Sequence, residues 1–396
     1  MAVLLGVLSM AAVACGSDDD AGGTTAASTT AAATSEAPTT EPAGTAAAST
    51  EPAGTDPAGT DPAATDTPAT DTPGTDAPEP AATGTLRLGY FGNVTHAPAV
   101  IGEEQGLFAK ALGDGVDIQY VYFNSGTEAI EALFSGAIDA SFIGPNPAIN
   151  GFAQSDGEAL RIVAGTTSGG ASLVVKPEIT SPADLAGKTL ASPSLGNTQD
   201  VALRAWLKTQ GYETDTTGGG DVSIVPQANA DTLTAFKDGS IDGAWVPEPW
   251  ATRLVLEGGG KVLVNEADLW PNGQFVTTHL IVETNYLNDH PDIVKGLISG
   301  LLDAIDFANS DPAEAQKVTN KGIERITTKA LSDETIAGAW ANLTFTPDPV
   351  SSSLQKSKDD AVAVGLLDEV DLTGIYDLTI LNGLLADRGE PEVKGL

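Results

Sequence analysis

The chain has 396 residues, with 54 acidic against 19 basic side chains, three histidines and one cysteine. A surface this negative repels phosphate backbones at long range, which argues against nucleic acid as a partner. A lone cysteine leaves no disulfide framework, CxxC redox pair or Cys-ligated zinc site.

The acid is unevenly spread: residues 16–85 hold twelve Asp or Glu and no Lys or Arg. Residues 2–14 are an unbroken run of apolar and small residues ending at Cys15. Thirteen residues make about 20 Å of helix, short of the roughly 30 Å hydrocarbon core, so the run reads as a secretory signal and not as a span. Ala12-Val13-Ala14-Cys15, followed by Gly16-Ser17-Asp18, resembles a bacterial lipoprotein lipobox. That resemblance implies that 1–14 is removed as a signal peptide and that Cys15 carries a lipid anchoring the protein to the outer face of the cell membrane. Ala12 stands where Leu is more usual, and no Lys or Arg precedes the apolar run. The second departure carries the expectation of a translation start upstream of Met1.

From 15 to 85 the chain beats in fives, as TEPAG, TDPAG, TDTPA and TDTPG, with no Leu, Ile, Val, Phe, Tyr or Trp after the cysteine. Such a segment cannot offset its ordering entropy, which predicts a disordered Pro/Thr/Ala-rich tether. At about 3.1 Å per residue its extended reach is on the order of 200 Å. Thr beside Pro also suits O-glycosylation.

Hydrophobic patterning starts at Leu86. The predicted elements are a strand over 86–91, a helix over 96–112, a strand over 118–123 and a helix over 127–134. A strand over 140–143 and a helix near 147–154 follow. Such alternation predicts an α/β fold of mostly parallel sheets with crossover helices. Ligands bind at the carboxyl ends of strands in such sheets, here the loops GNVTH, FNSGT, IGPNP, SPSLGNTQ and VPEPW.

One unit occurs twice. Gly136-Ala137-Ile138-Asp139 leads through a strand to Pro145-Asn146-Pro147, and Gly239-Ser240-Ile241-Asp242 leads through a strand to Pro247-Glu248-Pro249. Each follows a helix carrying Phe near its end, Phe134 or Phe236. Two similar α/β lobes follow from this, with a small-molecule cleft between them.

Several stations in order carry a family resemblance: Gly89-Tyr90, His96-Ala97-Pro98, Gly106-Leu107-Phe108, Gly136-Ala137-Ile138-Asp139-Ala140, Asp184-Leu185-Ala186-Gly187-Lys188, Gly196-Asn197-Thr198-Gln199-Asp200 and Glu248-Pro249-Trp250-Ala251. The stretch from about 86 to 300 resembles substrate-binding proteins of ABC importers, in the nitrate, sulfonate and taurine group. The resemblance implies a two-lobed type II periplasmic-binding-protein-like fold. Lobe 1 would comprise 86–175 and 276–396 with the C-terminal helices, and lobe 2 would comprise 176–275. Crossing strands are expected at 171–176 and 275–282. It implies no cofactor and no catalysis; its partners are a small anion or zwitterion and an ABC permease, with the protein a monomer.

Asn197, Thr198 and Gln199 open a predicted helix after Gly196, and a helix start with free N–H groups suits a small oxoanion without any arginine. The same residues also suit an ordinary helix cap. Asn146, at the opposing strand end, is a further candidate. Asn93, Thr95 and His96 form the first loop and suit a sulfonate or carboxylate, although His96 equally suits a helix cap. Ser168 and Gly169 precede an expected hinge strand. Glu248 either caps a helix or pairs with the ammonium of a zwitterion such as taurine. Trp250 and Trp245 suit packing an aliphatic chain, although a strand Trp is more often core. His279 on the return strand, which suits core and cleft equally, completes the set of ligand candidates, and His290 reads as a surface helix start.

No Gly-x-Ser-x-Gly elbow, HExxH, Walker loop or Rossmann glycine pattern occurs. A pyrimidine synthase of the same fold would expect a cysteine cluster, which this chain lacks. The competing readings are a ligand sensor of the same fold and a secreted acid/base hydrolase. Neighbouring permease and ATPase genes would separate importer from sensor.

Overall fold

The computed structural model describes residues 82–396; the signal segment, Cys15 and all but the end of the tether lie outside the described residues. In chain order the strands are β1 (Gly84–Phe91), β2 (Val116–Phe123), β3 (Ala140–Ile143), β4 (Leu160–Gly169), β5 (Ala171–Val175) and β6 (Thr189–Ser192). They continue with β7 (Ser223–Pro226), β8 (Gly243–Pro247), β9 (Lys261–Asn265), β10 (Val276–Glu283) and β11 (Leu343–Phe345). The helices are α1 (Ala97–Glu104), α2 (Leu107–Leu112), α3 (Gly126–Phe134), α4 (Pro145–Gln154), α5 (Thr198–Thr209), α6 (Asn229–Asp238) and α7 (Trp250–Leu256). Six more follow: α8 (Thr284–Asp289), α9 (Pro291–Ser310), α10 (Pro312–Thr327), α11 (Asp333–Trp340), α12 (Ser351–Ala363) and α13 (Thr379–Asp387).

The strands form two sheets, β11-β4-β10-β3-β1-β2 and β7-β6-β8-β5-β9. Both are mixed. In the first, β1 runs parallel to β2 and β3 while β10 is antiparallel to β3 and β4. In the second, β6 runs parallel to β7 and β8 while β5 is antiparallel to β8 and β9. Each sheet therefore repeats one order, with a strand from the inter-sheet connections set antiparallel beside the central strand. Apolar clusters cover both faces of each sheet, as its alternating and fully buried strands require.

The repeated sequence unit has one physical job. Asp139 accepts the Arg87 N–H at the head of β1 (2.7 Å), and Asp242 accepts the Thr189 N–H at the head of β6 (2.9 Å). Gly136 and Gly239 take left-handed backbone, φ 68° and 85°, to end the helix before each Asp.

Four further expectations change. The first helix divides into α1 and α2 because Gly106 adopts φ 65° between them. The outward crossing is not 171–176: those residues form β5 inside the second sheet, and the chain changes sheets at Gly169-Gly170, both at positive φ. A Cβ on Gly169 would stand 2.7 Å from the Asn342 carbonyl oxygen, so the bend and its close packing both call for glycine. The return occupies 266–275, and β10 belongs entirely to the first sheet. β1 also starts at Gly84, two residues before the apolar pattern, because its ladder pairs Gly84 with Val116 through backbone alone.

The C-terminal segment touches both lobes. α11 packs on α7, and α12 packs on both α4 and α5.

Candidate functional site

Strand ends of the two sheets face each other across a small inner pocket of about 40 Å³. From lobe 1 it is walled by Phe91, Asn93, Thr95, His96, Asn124, Ser125, Gly126, Gly144, Pro147 and Thr277. From lobe 2 come Pro193, Asn197, Thr198, Gln199, Asn229 and Pro247. Among the described residues that line it there is no Asp, Glu, Lys or Arg.

Helix starts supply its polarity. Asn197 caps α5, its Oδ1 accepting the Asp200 N–H at 2.9 Å, and its carbonyl oxygen accepts the Val201 N–H. The Thr198 and Gln199 N–H groups precede the first intrahelical bond, so the helix itself supplies them no partner. Ser125 caps α3 in the same way through the Glu128 N–H, at 3.3 Å. The loop before α5 is held from below. The buried Asp200 carboxylate accepts from Ser192 Oγ (2.6 Å), the Gly196 N–H (2.9 Å) and Arg204 Nε (3.0 Å).

His96 is 3% exposed, and burial lowers its pKa to about 3, so the ring is neutral. Its Nδ1 accepts the Phe91 N–H at 3.4 Å, which assigns the proton to Nε2 and makes the ring a donor. Phe91 stacks on it at 4.5 Å.

Hydrogen bonds between the lobes include two beside the pocket. Trp250 Nε1 donates to Asn93 Oδ1 (2.9 Å), and Asn150 Nδ2 donates to the Gly196 carbonyl (3.3 Å). Trp250 stands outside the inner pocket, on the wall of a larger adjoining chamber.

Six of the thirteen candidates thus meet at the inner pocket: Asn93, Thr95, His96, Asn197, Thr198 and Gln199. The others do not line it. Asn146 turns away and donates to the Ser357 carbonyl (3.1 Å), fastening α12 to α4. Glu248 lies under α7, accepting from the Thr252 N–H (3.1 Å), Thr252 Oγ1 (3.0 Å) and Asn342 Nδ2 (2.8 Å). Burial raises its pKa, and those donors pull it back. His279 Nε2 meets the Pro349 carbonyl at 3.1 Å, on the side of the C-terminal segment. Register irregularities between Val276 and His279 break simple alternation in β10, so Thr277 reaches the pocket instead. Ser168 Oγ accepts the Phe275 N–H and the Gly169 carbonyl accepts from Thr277, both at the crossings. Gly196 shapes the loop at φ 73°. Trp245 is core, donating to Glu266 Oε2 at 2.7 Å.

Asn124, Ser125, Gly126, Asn229 and Thr277 are lining residues that residue-type reasoning passed over. The first three fall in FNSGT, already marked as a strand-end loop. Asn229 opens α6 and had no comparable signal.

Two lobes on facing sheets, joined at two crossings around a donor-lined pocket, define a binding-protein fold. Residues 77–321 match the NMT1-like family, and the chain belongs to it. A taurine-binding periplasmic protein of Escherichia coli is 31% identical over 208 residues, which is 52% of this chain and 62% of that relative's length. Two solved structures share the fold. The alkanesulfonate-binding protein SsuA of Xanthomonas axonopodis pv. citri, bound to MOPS, is 23% identical with a TM-score of 0.60, over 74% of this chain and 96% of that one. The nitrate-binding protein NrtA of Synechocystis PCC 6803 is 17% identical with a TM-score of 0.68, over 79% and 92%.

Proposed function

We propose that this protein is an extracytoplasmic solute-binding lipoprotein that captures a small oxoanion between its lobes and hands it to an ABC-type permease. An aliphatic sulfonate leads, with taurine, nitrate and bicarbonate behind. One observation carries the reading: the pocket between the facing strand ends is walled by helix-start donors and a neutral His96, with no charged side chain among its described lining residues. Helix N-termini carry partial positive charge and free N–H groups, which suit an oxoanion. Preorganised dipoles in a water-poor site hold such a charge without a counter-ion. Local donors also explain how a chain of net charge −35 takes an anion. The E. coli relative's name supports the class.

Taurine ranks below simple sulfonates because Glu248, the candidate partner for its ammonium, is engaged by Thr252 and Asn342. The two crossings at Gly169-Gly170 and 266–275 are the natural hinge, and the Trp250–Asn93 bond is one that closure would make. The Cys15 lipobox and the tether support anchoring at the outer membrane face, the folded part acting as a monomer that binds without catalysis.

Thermal unfolding of the full chain against alkanesulfonates, nitrate, bicarbonate and neutral controls tests the reading. At one hundred times the Kd a ligand adds about 2.7 kcal/mol, a rise of a few degrees for a domain of this size. Asn197→Ala should blunt the sulfonate shift, with a cap loss of about 1 kcal/mol leaving the protein folded. Shifts confined to cationic or neutral compounds would overturn the anion reading.

A further inference from the structure

Resting on that anion reading, we infer that the ligand is an amphipathic organic dianion. Its oxoanion head sits in the inner pocket, and its apolar body and second acidic group fill the adjoining outer chamber. The inner pocket is small, with about 40 Å³ of space. It takes a head group and little more. The outer chamber is about 940 Å³, at the upper end of the roughly 300–1,000 Å³ range of small-molecule sites. Phe91, Asn93, Asn124 and Asn229 wall both spaces, so they adjoin. A ligand no larger than its head would gain nothing from the chamber's apolar walls, among them Tyr122, Trp250, Ile323 and Leu331.

Charge gives the second half of the argument. The chamber is lined by Lys237, Arg253 and Lys329 against Glu257 alone, three bases to one acid, in a chain with 19 bases to 54 acids. Arg253 is already engaged, pairing with Glu257 at 2.6 Å and stacking on Trp250 at 4.5 Å. Arg253, then Lys329 and Lys237, hold the Glu257 carboxyl below its ordinary range, and both lysines line the same chamber. Lys237 comes from α6 in lobe 2, and Lys329 follows α10 beside lobe 1. An acid group placed between them ties the lobes together and favours closure by its differential contacts.

Calorimetric titration of the full chain with ethanesulfonate, benzenesulfonate and 4-sulfobenzoate tests this. Affinity should rise in that order, with 4-sulfobenzoate about tenfold or more tighter than ethanesulfonate. A Lys237→Gln/Lys329→Gln protein should lose about threefold to tenfold of the 4-sulfobenzoate advantage over benzenesulfonate. Ethanesulfonate binding as tightly as 4-sulfobenzoate overturns the inference and leaves the anion reading standing. So does a dianion advantage that the lysine variant does not reduce. Failure of all three sulfonates removes the anion reading and this inference with it.

Discussion

Burial holds the His96 imidazole neutral, and the Phe91 N–H on Nδ1 leaves the proton on Nε2 of a ring that lines the inner pocket. A neutral donor keeps its strength across the physiological range, where a cationic one would titrate. His96 is the only side chain among the pocket's described lining residues that titrates below neutrality, with a pKa of about 3. Ethanesulfonate affinity should therefore stay within about twofold between pH 5 and 8, read by calorimetry. Affinity that tightens as pH falls through 6.5 would mean that His96 binds as a cation. Asp200 works one layer below: its carboxylate gathers Ser192, Gly196 and Arg204, and so fixes the loop from which Asn197, Thr198 and Gln199 reach the pocket.

Between elements, the start of α4 in one lobe meets the start of α5 in the other. Gly144, the residue before α4, has an ordinary φ of −72°, so alanine is allowed there by its backbone. A Cβ at that position would nevertheless stand 2.5 Å from Thr198 Oγ1 across the pocket. Gly144→Ala should hold the lobes apart while each lobe stays folded. Overpacking of that kind costs roughly 1–3 kcal/mol, which lowers affinity about tenfold to hundredfold when it opposes closure. Scattering should record a more open average shape with saturating ligand, while thermal unfolding without ligand changes little. Unchanged affinity would mean that the two helix starts do not approach in the bound form.

Across the whole molecule, the return crossing carries a buried carboxyl. Glu266 accepts from Trp245 Nε1 (2.7 Å) and Trp270 Nε1 (3.3 Å), with Lys356 and Asp360 of α12 acting on it from the C-terminal segment. Burial raises its pKa from 4.5 to about 7. Its folded pKa lies above the unfolded one, so its stabilising contribution is whole below 4.5 and is lost as pH rises through about 7. His96 and His279, lowered by burial to about 3 and about 4, work the other way and lose stability as pH falls below 6.5. In a comparison with Glu266→Gln the histidines cancel. The Tm of the variant minus that of the native chain should rise by a few degrees from pH 4.5 to 8. A flat difference would show that Glu266 titrates as an ordinary carboxylate.

The features legible in the amino-acid string are those set by neighbours within a few residues. Strand and helix alternation, the cap at Asn197, and the doubled Gly-x-Ile-Asp unit all depend on short-range spacing. So do the strand-end loops, because a strand's direction is fixed by the helix that follows it. The fate of a polar side chain in such a loop depends on what folds against it. Asn146 is claimed by a carbonyl 211 residues away, Glu248 by an amide 94 residues away, and His279 by a carbonyl 70 residues away. All three partners belong to the C-terminal segment, where no motif announces them. The outer chamber likewise combines β1, β2, α6, α7 and α10. Its cations lie far apart in the chain, and only packing of the two lobes brings them to one cavity, because proximity across a cleft leaves no period in the sequence.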